Sequence, residues 1–124
     1  MRLKRRIAYY ELFAISDRAC HVTQPENIPA GALTHVNLAF QLINDDFTIT
    51  DDCKDVVARV SRLKKTYPGL RVNVAAGGWD FNDPPTQTRF SDLVRSYYNR
   101  QKCIIPVSFY LHKYGLDGID NDWE

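Results

Sequence analysis

Cysteine is scarce: Cys20, Cys53 and Cys103 are widely separated and form no CxxC pair, so neither a zinc-ligand framework nor a dithiol redox motif is present. One pair could bridge in an exported protein, but the spacing does not say which, and half-buried thiols that behave as small hydrophobes account for them equally well. Net charge is also nearly absent. Sixteen Lys and Arg against fifteen Asp and Glu leave a formal +1, and no concentrated basic face is available for a nucleic acid or an anionic membrane. No apolar run is long enough to span a bilayer. The opening basic cluster, Arg2, Lys4, Arg5 and Arg6, is not followed by the apolar stretch of a secretory leader and reads as a solvated flank. Repeats, low-complexity tracts and linkers are missing as well.

What remains is a chain with 44% hydrophobic and 12% aromatic residues, enough apolar material for one core. Short β-rich stretches at residues 6–13, 34–43, 70–76 and 116–123 are expected to be buried strands. Between the second and third, Val56, Val57, Val60 and Leu63 recur at helical spacing, with Arg59, Arg62, Lys64 and Lys65 on the other face. This predicts a helix over 51–67, stopped by Pro68-Gly69. A second helical region is predicted over 87–114, broken near Tyr98-Asn99 and ended by Gly115. Pro106 within it should force a kink or a late helix start, since an interior proline costs about 3 kcal/mol. Residues 24–31 allow a turn or two of helix at most. Alternation of strand and helix predicts an α/β fold with parallel strands and right-handed crossovers. Two architectures satisfy it, a doubly wound sheet or part of a (β/α)8 barrel, and a whole barrel needs about 250 residues.

The segment 114–124, Tyr-Gly-Leu-Asp-Gly-Ile-Asp-Asn-Asp-Trp-Glu, carries the most chemistry. On a strand, Asp120, Asp122 and Glu124 project from one face about 7 Å apart. Like charges buried that close cannot all ionise, so one holds a proton near neutral pH and can pass it to a leaving group. That is the behaviour of a glycosidase acid. A calcium loop needs a different spacing, with glycine where Trp123 stands. A surface acidic loop fits poorly with the interleaved Ile119 and Trp123. No metal and no cofactor are expected.

Asp117, Asp120, Asp122 and Glu124 match the D-x-x-D-x-D-x-E signature of glycoside hydrolase family 18, the chitinases, which this sequence resembles. Three further segments agree in order: Ala8-Tyr9-Tyr10-Glu11, Leu33-Thr-His-Val-Asn-Leu-Ala-Phe40, and Val74-Ala-Ala-Gly-Gly-Trp79 with Phe81-Asn-Asp-Pro. Together they resemble fungal members, including those related to killer-toxin subunits. The resemblance implies that residues 1–124 form the N-terminal half of a (β/α)8 TIM barrel, truncated after its fourth strand. It implies retaining hydrolysis of β-1,4-linked N-acetylglucosamine polymers, with the substrate's acetamido group as nucleophile. Glu124 would be the acid, Asp122 would orient the acetamido group, and Asp120 would share a proton with Asp122. Tyr9 and Phe40 would lie beneath the reacting sugar, with Trp79 as a stacking wall, although plain core packing is an equal reading for these aromatics. Gly77 and Gly78 would admit substrate or simply make a turn. Asp117 would have a supporting role, structural or catalytic, and His35 and Asn37 would satisfy buried hydrogen bonds. Chitin or chito-oligosaccharides are the implied partners, with no nucleic acid or membrane, an undetermined oligomeric state and an extracellular setting.

Some positions depart from the family pattern. Ala75 replaces a serine hydroxyl expected near the aspartates. Asn121 should place an amide against the helix layer, where an unpaired group costs about 1 to 3 kcal/mol. Half a barrel would have two open sheet edges and an uncovered apolar interior, so these residues alone are not expected to hydrolyse chitin. A chitin-binding lectin-like barrel or a non-functional remnant are the alternatives, the lectin disfavoured because Glu124 is retained.

Overall fold

Val36, Leu38, Val72 and Val74 alternate with Asn37, Ala39, Asn73 and Ala75 along two strands, and this period of two sorts the side chains between a helix layer and a sheet interior. A computed structural model describes residues 4–124, so Arg2 of the basic cluster lies outside the described residues. The elements are β1 (Ile7–Glu11), α1 (Ala14–Asp17), β2 (His35–Gln41), α2 (Lys54–Thr66), β3 (Arg71–Gly77), α3 (Arg89–Val94), α4 (Tyr97–Tyr114) and β4 (Gly118–Asp122). Short 3₁₀ turns at Pro25–Asn27, Ala30–Ala32 and Trp79–Asn82 join them.

All strand pairings are parallel and the sheet order is β1-β2-β3-β4. A doubly wound sheet reverses direction at a switch point; here each strand is laid beside its predecessor, always on the same side. The sheet is also strongly curved. In a flat sheet β1 and β4 would lie about 14 Å apart at 4.8 Å per strand, yet the Tyr9 hydroxyl reaches the Asp120 carboxylate at 2.5 Å. The architecture is an arc of a parallel barrel.

Two apolar clusters line the outer side. Tyr10, Leu12, Val36, Leu38 and Val72 meet Val56, Val57 and Val60 of α2. Val74, Ala76 and Ile119 meet Phe90, Val107 and Tyr110 of α3 and α4. Fully burying a Val or Leu side chain stabilises by about 1.5 to 3 kcal/mol. The interior is not the apolar surface expected from half a barrel: Tyr9, Asn37, Asn73 and Asp120 point into it and bond one another, over the small buried Ala39 and Ala75.

Several local expectations change. Helix α2 begins at Lys54 rather than 51, because Cys53 is left-handed at φ 52° and Asp51 instead accepts hydrogen bonds from Lys113 and Tyr114. The second helical region breaks at Arg95-Ser96, where the Ser96 hydroxyl caps the Asn99 N–H at 3.1 Å. From there α4 runs to Tyr114 through Pro106; it starts early, not late. The carbonyl deprived of a donor belongs to the exposed Lys102, where water can donate instead, which removes much of the proline's cost. Asn121 is exposed, so its amide is not desolvated. All three cysteines are free thiols, Cys20 exposed and the others half-buried.

Leu38 is 0% exposed and joins β2 to the α2 cluster. Leu38→Ala should destabilise the native polypeptide by about 2 to 5 kcal/mol, read as a lower urea midpoint at unchanged m-value.

Candidate active site at the strand ends

Asp120 is the convergence point of the interior. Its Oδ2 accepts from the Tyr9 hydroxyl at 2.5 Å and from Asn37 Nδ2 at 3.2 Å, and Asn73 Nδ2 donates to Asn37 Oδ1 at 3.1 Å. Three neighbouring strands therefore fix one carboxylate on the fourth. Hydrogen bonding to Asp120 holds the Tyr9 hydroxyl above its ordinary range, because its loss of a proton would set phenolate against carboxylate. Ala75 lies opposite Asp120 in the β3–β4 register and offers no hydrogen-bonding group, so the donors come from the adjacent layer.

Beside this network a cleft of about 510 Å³ opens at the ends of β1, β2 and β3, bordered by Glu11, Phe40, Gly77, Gly78, Trp79 and Asp80. Among the described residues Trp79 is 73% exposed and Tyr9 57%, so neither packs into the two apolar clusters. Phe40 is half-buried with its ring 6.3 Å from that of Tyr9. Exposed ring faces with acidic rims suit a sugar, which stacks its C–H face and donates its hydroxyls.

Both glycines are conformationally required. Gly77 has φ 112° and Gly78 φ 95°, in the region that favours glycine. A Cβ on Gly77 would overlap the Asp122 carbonyl oxygen and press on the Phe90 ring. The Gly78 N–H donates to that same carbonyl at 3.2 Å, and Asn82 Nδ2 donates to it and to Gly78 O. The turn after β3 thus braces the end of β4.

Asp122 ends β4 half-buried, and Glu124 follows it, exposed. The dry environment expected around Glu124 is not formed by these residues. Among the described residues no three Asp, Glu, His or Cys side chains converge as metal ligands. Asp117 stands apart, three residues or about 10 Å of strand from Asp120. Its carboxylate accepts from the Val72 N–H at 2.8 Å and from Lys64 and Arg71. Burial works against its charge, but these three donors prevail and hold the carboxyl below its usual range. It ties the start of β4 to β3 and α2, a structural position. His35 bonds Thr34 at 2.8 Å, away from Asp120.

A family comparison matches residues 5–124 to glycosyl hydrolases family 18. The chain belongs to that family. It is 39% identical over 103 residues to the killer toxin subunits alpha/beta of Kluyveromyces lactis, covering 81% of this chain and 8% of that protein. It is 33% identical over 120 residues to probable chitinase LysM11 of Penicillium expansum, covering 95% and 11%. Among solved structures it superposes at TM-score 0.84 and 26% identity on a mutant Ostrinia furnacalis Group II chitinase catalytic domain in complex with penta-N-acetylchitooctaose, (NAG)5. That match covers 96% of this chain and 32% of the other. The chain therefore spans about a third or less of these relatives, and its fold is a partial family 18 (β/α)8 barrel containing four strands.

From the sequence Asn37 is expected only to satisfy a buried hydrogen bond, and Asn73 carries no expectation. A signal was available, since each is an amide at the third position of its strand, flanked on both sides by apolar residues, in HVNLAFQ and RVNVAAG. The acidic rim is not legible in the sequence because Glu11, Asp17, Asp52 and Asp80 come from four separate places along the chain, the ends of β1 and α1, the segment before α2 and the turn after β3.

Two substitutions test this frame. Gly77→Ala should cost about 1 to 3 kcal/mol through strain and overlap with Asp122, seen as a lower melting temperature. Asp117→Asn should cost about 1 kcal/mol at neutral pH. Because the folded Asp117 carboxyl titrates below its unfolded value, the stabilisation is present above the ordinary carboxylate range and is lost as pH falls through the folded value. The gap between the two proteins in urea midpoint should accordingly close on acidification.

Proposed function

We propose that the polypeptide is a chitinase-type hydrolase that cleaves β-1,4-linked N-acetylglucosamine polymers with retention of configuration, acting outside the cell. The observation that carries this reading is Asp120 clamped by Tyr9 and Asn37 at the head of the series Asp120, Asp122, Glu124, beside an aromatic and acidic cleft, in a family 18 chain. Glu124 protonates the glycosidic oxygen as the substrate acetamido oxygen attacks the anomeric carbon, and the C–O bond breaks to give an oxazolinium ion. Glu124, now a carboxylate, then takes a proton from the water that opens that ion. Asp122 holds the acetamido N–H, and Asp120 shares its charge. Trp79 and Phe40 form the stacking walls, and Gly77 and Gly78 keep the mouth open.

Residues 1–124 supply four strands of the barrel, and hydrolysis requires the rest of the enclosure, because an exposed Glu124 lacks the desolvated surroundings that make a carboxylic acid an effective proton donor near neutral pH. The native polypeptide, given a chito-oligosaccharide, should release the β-anomer first by NMR. Glu124→Gln should lower turnover by at least about 100-fold while binding persists in calorimetry. Unchanged turnover in that variant, with tight chitin binding, would replace the hydrolase with a lectin.

A further inference from the structure

A primary amide is nearly symmetric in shape and opposite in function at its two ends, since its nitrogen donates and its oxygen accepts. Asn37 is only 5% exposed, so its orientation is set by its neighbours rather than by water. Its Nδ2 donates to Asp120 Oδ2, and its Oδ1 accepts from Asn73 Nδ2. A half-turn of the amide would set two acceptors, Asn37 Oδ1 and Asp120 Oδ2, against each other and two donors against each other at Asn73. Space for this arrangement is left by Gly118, opposite Asn73 in the register, where a Cβ would come within 3.2 Å of Asn73 Oδ1.

We propose that Asn73 is a positioning residue for Asp120: by donating to Asn37 it locks that amide with its NH₂ on the carboxylate and assigns the two carboxyl oxygens different tasks. This rests on the hydrolase reading above. With the Tyr9 hydroxyl and the Asn37 amide both aimed at it, Oδ2 has no room for a proton, so any proton Asp120 takes up is carried on Oδ1. One oxygen is the anchor, and the other exchanges. Of the charged and titratable groups on and beside the four strands, Tyr9 bonds Asp120 directly and Asp122 lies two residues along β4, whereas Glu11 on β1, His35 on β2, Arg71 on β3 and Asp117 before β4 have other partners. Glu11 is engaged by Arg18, His35 by Thr34, and Arg71 by Asp117. The side chains from β2 and β3 nearest Asp120, namely Asn37, Ala39, Asn73 and Ala75, carry no charge.

The test is side-chain amide hydrogen exchange in the native polypeptide, combined with chito-oligosaccharide kinetics, for wild type, Asn73→Val, Asn37→Val, the double variant and Glu124→Gln. Asn73→Val should speed exchange of the Asn37 side-chain amide protons, because the partner that locks that amide is lost, and lower kcat by about 3- to 10-fold at unchanged KM. In the Asn37→Val background Asn73→Val should add nothing, since it acts through Asn37; a packing role would instead add a further loss of melting temperature and leave kcat in place. Should Asn73→Val fail to fold, the wild type decides: slow exchange of the Asn37 side-chain amide protons supports the lock, and exchange at the free-amide rate overturns it. Unchanged exchange in Asn73→Val with an inactive Glu124→Gln sinks the lock alone. Full turnover in Glu124→Gln sinks the hydrolase reading and leaves the exchange result standing.

Discussion

The contact between the Tyr9 hydroxyl and Asp120 joins residues 111 apart in sequence and two edge strands that are not neighbours in the sheet. It can form only because four parallel strands lie in sequential order and the sheet curls upon itself. Curvature brings β1 within reach of β4, and the Asn73–Asn37 pair fills the span between them. The polar interior is thus a consequence of the sheet's curvature and of strand alternation, which puts Tyr9, Asn37, Asn73 and Asp120 on the concave side while the valines and leucines face the helices.

The two ends of β4 have different tasks. At its start, Asp117 is held by a backbone N–H and two cations, which sets the register against β3. At its finish, the Asp122 carbonyl is held by Gly78 and Asn82, while Trp123 stacks on Phe90 at 5.8 Å. Between these clamps the strand presents its carboxylates with little freedom along its axis. Precise placement of these carboxylates then derives from hydrogen bonds at the two ends of the strand.

Much of this could be read in advance. The four strands, the α2 stripe of Val56, Val57 and Val60, and the stop at Gly115 follow from periodicity and from residues with few conformational options, and strand spacing accounts for Asp120 and Asp122, while Glu124 lies beyond the end of β4. Helix boundaries were less accessible. Cys53 in a left-handed conformation and the capping of Asn99 by Ser96 depend on local hydrogen bonding that hydrophobic pattern does not encode. The late helix start expected at Pro106 does not occur, because the proline's cost depends on whether the orphaned carbonyl meets water, a matter of which side of α4 faces out. Asn37 and Asn73 were hidden for a related reason: a buried amide announces that it has partners without naming them, and the partners lie 36 and 83 residues away.

Gly77 has a wider bearing. Its missing side chain lets the turn after β3 rest directly on the carbonyl of Asp122, so the rim of the cleft and the strand carrying the carboxylates form one mechanical unit. Loops are ordinarily the freely variable part of a barrel, the place where new specificities are grafted. Here a change in the length or path of that loop is transmitted to the carboxylates themselves. A redesign of the rim would have to leave position 77 untouched.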